Sequence, residues 1–237
     1  MSKILFYLAF FISICSLQVF ANQAHLNKNA KQLMVVTTAH QGDIQGTLKR
    51  YSRHDASQAW QAIGNSMPVV VGQHGITASK KEGDMCTPMG IFELGSAFGF
   101  NAMSDFKMDY IPIEESTICV DDPKSYYYNQ IINSKQIGFP DWQSKEEMQK
   151  ISLYQYGIAI QNNNKNIPGF GSCVFMHIWR NNTSGTAGCV ALEENNLKQL
   201  LLWLDKTQNP TIAILSNDTY EEIQQLWDLP SREEHHD

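Results

Sequence analysis

A mainly β domain with a few helices is the fold class this sequence predicts. Short runs rich in β-branched and aromatic residues recur along the chain, each bounded by Gly, Asp, Asn or Pro turn signals. Only a few stretches place apolar residues at helical spacing instead. The 237 residues, 43% hydrophobic and 18% charged, suit one well-packed domain, and neither an internal repeat nor a linker divides them.

Lys3 is followed by an apolar run from Ile4 to Ile12, and Val19-Phe20-Ala21 offers small enough residues at the two positions a signal peptidase reads. Residues 1–21 are therefore expected to be a signal peptide cleaved after Ala21, and the mature protein to be exported, periplasmic or otherwise. The run falls short of the ~20 residues a membrane span needs, so no stable membrane insertion is expected after cleavage. Lipidation at Cys15 is rejected because Ile14 is bulkier than the small residue usual before such a cysteine. Residues 22–32 read as a loose polar leader, 33–216 as the folded domain, and 217–237 as a short helix with a charged tail.

Within the domain, strands are expected over Leu33 to Thr38, Gly46 to Tyr51 and Pro68 to Val71. Thr87 to Leu94 reads as a turn entering another strand, with Pro88 at its start, where a missing N–H is tolerated. Asp141 to Ile151 has the charge and apolar spacing of a short helix, Tyr156 to Ile160 is a strand, and Asn162 to Asn166 is a loop. Ser172 to Trp179 has the content of a buried strand. Glu193 to Leu204 is an amphipathic helix with acids in its first turn, where they suit the helix dipole. Pro210 to Leu215 returns to strand, and Thr219 to Trp227 is a last short helix.

Charge and spacing exclude several function classes. Formal net charge is −6 and no Lys/Arg cluster is longer than Lys80-Lys81, which argues against a nucleic-acid partner. No His/Cys/Asp cluster has the spacing of a dedicated zinc site, so neither metal nor cofactor is expected. A thiol-disulfide oxidoreductase would want a Cys-x-x-Cys pair, and there is none. His74, Tyr126-Tyr127-Tyr128 and Trp179 read as strand-end or packing residues, and Glu233 to Asp237 as a solvated terminus.

The informative stretch runs from His177 to Leu192. A strand ends near Arg180, a polar loop rich in Asn, Ser, Thr and Gly follows, and Cys189 sits directly after Gly188 where the chain turns back into order. A free thiol is mostly protonated at neutral pH, so a nucleophilic cysteine needs a base or a cationic neighbour, and His177 can supply both. Gly188 permits close approach of an acyl group and frees backbone N–H groups for an oxyanion. Thr186 either contacts substrate, orients the imidazole or caps a turn.

At these residues the chain resembles the L,D-transpeptidase family, also called YkuD-like. That family's catalytic loop reads histidine, a variable stretch, then Ser/Thr-x-Gly-Cys-Ile/Val. Thr186-Ala187-Gly188-Cys189-Val190 matches the ending, and His177 takes the upstream position. Lys80 to Leu94, with Thr87-Pro88-Met89-Gly90-Ile91-Phe92, is similar to the family's earlier Thr-Pro-x-Gly-x-Phe strand, and the resemblance spans roughly Leu33 to Leu215. It implies a single β-sandwich domain, here with a helical or loop insertion. It further implies acyl transfer on peptidoglycan stem peptides through a Cys189 thioester, ending in transpeptidation, wall-protein anchoring or hydrolysis. A module that keeps the fold but only binds the wall is the alternative. Departures are Ala191, where the family commonly has Arg, and Ala187, where it often has His or Arg; Arg180 is the candidate cation for the substrate carboxylate.

Loss of Cys15 with the signal peptide leaves Cys86, Cys119, Cys173 and Cys189. An oxidising compartment drives accessible pairs to disulfides, and with Cys189 kept free only one pair can form. Cys119–Cys173 is the expected bridge, with Cys86 unpaired. The alternative is that all three remain small buried side chains.

Overall fold

The computed structural model describes residues 26–101 and 105–231, so the expected signal peptide and the last charged residues lie outside the described residues. In chain order the strands are β1 (Gln32–Thr38), β2 (Gln45–Ser52), β3 (Gln61–Val70), β4 (Ile76–Thr77), β5 (Thr87–Pro88), β6 (Gly90–Gly99) and β7 (Tyr110–Pro112). They continue as β8 (Thr117–Cys119), β9 (Ile131–Asn133), β10 (Glu146–Glu147), β11 (Tyr156–Ile160), β12 (Phe175–Ile178), β13 (Val190–Leu192) and β14 (Thr211–Ser216). Helix α1 (Glu194–Trp203) follows β13, and α2 (Asn217–Ile223) follows β14.

Nine strands form one sheet in the order β11-β12-β13-β3-β2-β1-β14-β6-β7. A further pairing of β11 with β6 closes every strand but β7 into a barrel-like ring. The mainly β expectation holds. The pairings show one continuous sheet returning on itself rather than the two separate layers of a sandwich, and closure satisfies the strand edges that an open sheet would leave exposed.

Burial explains the central strands. β1 and β14 run parallel, Leu33 opposite Thr211 through Thr38 opposite Ser216, and their side chains are buried almost throughout. Such continuous apolar runs mark strands covered on both faces, and α2 packs against this pair. Helix α1 buries Leu197, Leu200 and Leu201, an i, i+3, i+4 stripe, and lies against β11 and β12. Its start is set by Glu193, whose side chain accepts the Asn196 N–H at 3.0 Å.

Several boundaries differ from expectation. β3 starts at Gln61, well before Pro68, because its exposed first half pairs with β2 around a register shift between Leu48 and Arg50, a polar run with no strand signature. The leader is packed from Leu26 on: Leu26 and Ala30 are buried, and the Lys31 N–H donates to the Gln208 carbonyl. The C-terminal segment is likewise part of the packed unit. α2 begins at Asn217 and ends at Ile223, short of Trp227, which is buried beyond it. Strand β12 covers only Phe175–Ile178 of the expected Ser172 to Trp179.

The helix expected over Asp141 to Ile151 does not form. Glu146 and Glu147 instead pair with Cys119 and Ile118, making a three-stranded sheet in the order β10-β8-β9, followed by single 3-10 turns at Met148–Lys150 and Ser152–Tyr154. Tertiary bonds outweigh local propensity here. The Asp141 carboxylate accepts the Ser125 hydroxyl and the Tyr126 N–H at 2.8 Å, and Asp122 accepts the Gln143 N–H at 2.7 Å. The insertion between β7 and β11 is thus a small β unit with 3-10 turns, not a helical one.

Candidate active site

His177 lies on β12 and Cys189 immediately precedes β13, and the two strands run in parallel with His177 opposite Ala191. That register sets Cys189 level with Phe175, two residues before His177, so the thiol and the imidazole fall on the same face of adjacent strands. The loop joining them is pinned at several points. Asn181 Oδ1 accepts the Thr183 and Ser184 N–H groups at 2.9 and 2.8 Å, and Thr186 exchanges backbone bonds with Val71 and Gln73. Gly188 has φ +143°, a conformation that side-chain-bearing residues rarely adopt, and a Cβ there would stand 3.0 Å from the Cys86 carbonyl oxygen.

The peptide of Cys189 is held from both sides. Its carbonyl accepts the Thr87 hydroxyl at 3.0 Å and the Thr186 hydroxyl at 2.6 Å. Thr87 Oγ1 also accepts the Gly72 N–H at 2.8 Å, and Thr186 Oγ1 accepts the Gly188 N–H at 3.1 Å. Of the readings open for Thr186 these bonds select the turn, and the expectation of a free Gly188 N–H changes. The Thr186 hydroxyl is occupied in shaping the turn and the Gly188 N–H is engaged by it, so an oxyanion donor falls to other N–H groups of the loop, that of Cys189 among them.

Cys189 Sγ accepts the Phe175 N–H at 3.3 Å and donates to the Cys173 carbonyl at 3.6 Å. Burial pushes this thiol up to about 12; the charge of Glu146 adds to the rise, while the Phe175 N–H and Lys80 oppose it. His177 Nδ1 lies 2.7 Å from the Ile178 carbonyl oxygen, which can only accept, so Nδ1 carries the proton and Nε2 keeps its lone pair. Burial lowers the imidazole to about 4 against the raising effect of that bond. At neutral pH the pair is therefore a protonated thiol and a neutral imidazole. That is the starting state for general-base activation rather than a preformed thiolate.

Both groups line a cavity of about 440 Å³ that is also walled by Lys80, Glu82, Asp121, Glu146, Tyr154 and Arg180. Arg180 is exposed at its edge and makes no hydrogen bond or ion pair among the described residues. Lys80 is nearly buried and paired with Asp84. The Tyr154 ring meets His177 edge-on at 5.2 Å, and its hydroxyl donates to Glu146 at 2.7 Å. Cys119 and Cys173 are joined by a disulfide with Cα atoms 6.1 Å apart, while Cys86 and Cys189 are free.

The structure brings His177, Gly188, Cys189, Thr186 and Arg180 to this one cavity. Thr87 and Lys80 stand in the earlier motif but give no local sign of contacting the cysteine loop 100 residues on. Glu146 was missed because its segment, Asp141 to Ile151, read as a short helix, and Tyr154 because no motif marked it. No curated protein and no solved structure matches the chain, but the family model for the L,D-transpeptidase catalytic domain, YkuD, matches residues 53–212. With the two motifs meeting at one cavity and most of the domain covered by that match, the chain belongs to the L,D-transpeptidase (YkuD) catalytic-domain family.

Proposed function

We propose that the protein is a cysteine acyl-transfer enzyme acting on peptidoglycan stem peptides, with Cys189 as nucleophile and His177 as its base. The observation that carries this reading is the pair itself: a protonated thiol and an imidazole whose Nδ1–H is fixed to the Ile178 carbonyl, leaving Nε2 to accept a proton in the shared cavity. In the forward step Nε2 takes the Cys189 proton as Sγ bonds to the carbonyl carbon that follows a diamino acid. The Cys189 N–H stabilises the resulting oxyanion. Collapse breaks the C–N bond, and His177 returns the proton to the departing amine of the terminal D-residue. The thioester is then relieved by an acceptor amine or by water, with His177 again taking the proton. The apolar N-terminal run fits export to the compartment where such peptides lie. A module that only binds the wall has no use for a base held in one tautomer beside a free thiol.

Incubating the protein with a stem tetrapeptide is expected to add the tripeptide acyl mass to Cys189 and release the terminal D-residue, and Cys189→Ala is expected to abolish both. Mass spectrometry reads the adduct, and a wild-type protein that forms neither adduct nor product contradicts the proposal. Arg180, the exposed cation at the cavity edge, is assigned to the substrate carboxylate. Arg180→Ala is expected to raise KM by about 2- to 5-fold for a peptide with a free terminal carboxylate, and less for its amide, the scale of an exposed ion pair to a ligand. Equal effects on both peptides would remove Arg180 from that role.

A further inference from the structure

The cavity beside Cys189 carries more negative charge than the protein around it neutralises. Glu82, Asp121 and Glu146 all line it, and none of the three is ion-paired among the described residues. Hydroxyl groups are their partners instead: Ser172 at 2.9 Å and Tyr128 for Glu82, and Tyr154 at 2.7 Å for Glu146. The buried Oδ1 of Asp121 has no hydrogen-bond partner among the described residues. The cations that share the cavity do not answer this wall, because Lys80 is committed to Asp84 and Arg180 stands exposed on the loop after β12. Burial first, and then the Asp121 and Glu82 charges, raise the Glu146 carboxyl to about 7. Glu82 is exposed and Asp121 and Glu146 are half-buried, so the charge is concentrated at Glu146, where burial makes an unanswered carboxylate costly and a cation entering the cavity lowers that cost.

Their placement ties this wall to the reacting groups. Glu146 sits opposite Cys119 in the β8–β10 pair, and Cys119 is bonded to Cys173, whose carbonyl accepts from the Cys189 thiol. Tyr154, which holds the Glu146 carboxyl, packs edge-on against His177. A group bound at Glu146 therefore belongs to the same ligand whose carbonyl meets Cys189.

We propose that Glu146, backed by Asp121 and Glu82, is a specificity residue that binds the side-chain ammonium of an amine-bearing residue in the peptide presented to Cys189. The inference rests on the cysteine acyl-transfer reading and adds the feature of the donor peptide that is recognised. An ammonium suits the wall because it brings a full positive charge and three rotatable donors to it. Arg180 and Glu146 come from separate elements, so a peptide carrying both a carboxylate and an amine meets a partner for each.

The test measures binding in the full chain carrying Cys189→Ala, which needs no turnover. Two stem tetrapeptides are compared by calorimetry, one with a free side-chain amine on its diamino acid and one acetylated there. Acetylation is expected to weaken binding about tenfold or more, the scale of a hydrogen bond to a buried charge. Adding Glu146→Gln, which keeps an acceptor for the Tyr154 hydroxyl, is expected to weaken the free-amine peptide by a similar factor and leave the acetylated one unchanged. Glu82→Gln is expected to act in the same direction and more weakly. Equal affinity for the two peptides, equal losses on both in the Glu146→Gln protein, or no measurable binding of the free-amine peptide overturns the proposal. Failure of the acyl-transfer reading shows separately, as a wild-type protein that forms no thioester.

Discussion

His177→Ala is expected to slow acylation of Cys189 by about 10²- to 10⁴-fold, the contribution of a positioned acid/base. The loss is large because the buried thiol, pushed up to about 12, yields almost no thiolate without a base to receive its proton. The pH profile carries the sign. His177 must be neutral to accept that proton, and burial holds it to about 4 instead of the ordinary 6.5, so the rate limb due to this group lies near 4 and the plateau extends through 6.5. Acetylated peptide is the right substrate for this measurement, because it removes the ammonium that Glu146 is proposed to bind. The same depression stabilises the fold above pH 6.5, where the imidazole is neutral in both folded and unfolded chains, and that stability is lost as pH falls through about 4. The span corresponds to on the order of 3 kcal/mol. Rapid-mixing kinetics with mass detection of the thioester, run across pH for both proteins, tests the assignment. A wild-type acid limb near 6.5, or the same limb surviving in His177→Ala, contradicts it.

Removing the Cys119–Cys173 bridge is the second large effect. The cysteines are 54 residues apart, a loop whose closure in the unfolded chain corresponds to about 4 kcal/mol of stability in the chain-entropy model. The bridge also has a local role. Cys173, at φ +53°, presents the carbonyl that accepts from Cys189, and its N–H is held by Asn129 Oδ1 at 3.0 Å. Phe175, two residues on, supplies the N–H that meets Sγ. Untying Cys173 from β8 therefore loosens both contacts of the Cys189 thiol. Thermal unfolding with and without reductant is expected to show a lower midpoint for the reduced wild type and for the Cys119→Ser/Cys173→Ser protein, the latter indifferent to reductant. Acylation by the double variant, measured below its midpoint, is expected to be slower than in the oxidised wild type. Identical midpoints and rates with the bridge open would show that it braces nothing.

Local chemistry in the sequence was enough to determine the β-rich class, the long apolar strands β1 and β14, helix α1 and the histidine–glycine–cysteine segment. Each is written in nearest neighbours: continuous apolar runs, leucines three and four apart, a turn-rich loop ending at Gly188 and Cys189. The bridge between Cys119 and Cys173 was one of three pairs that Cys86, Cys119 and Cys173 allow with Cys189 kept free, so the sequence narrowed the choice and the structure made it. Only the tertiary structure decided the rest, since it depends on residues that meet across the chain. Ring closure needs β11 to pair with β6, and no local pattern encodes that partner. Asp141 to Ile151 has helical spacing, yet strand pairing with β8 and the side-chain bonds of Asp122 and Asp141 repay more than an isolated turn or two of helix can, since short helices are marginal in water. That override carries Glu146 into the cavity. It is also why a charge within a run of helical spacing stands instead in the acidic wall of the cavity that holds the thiol.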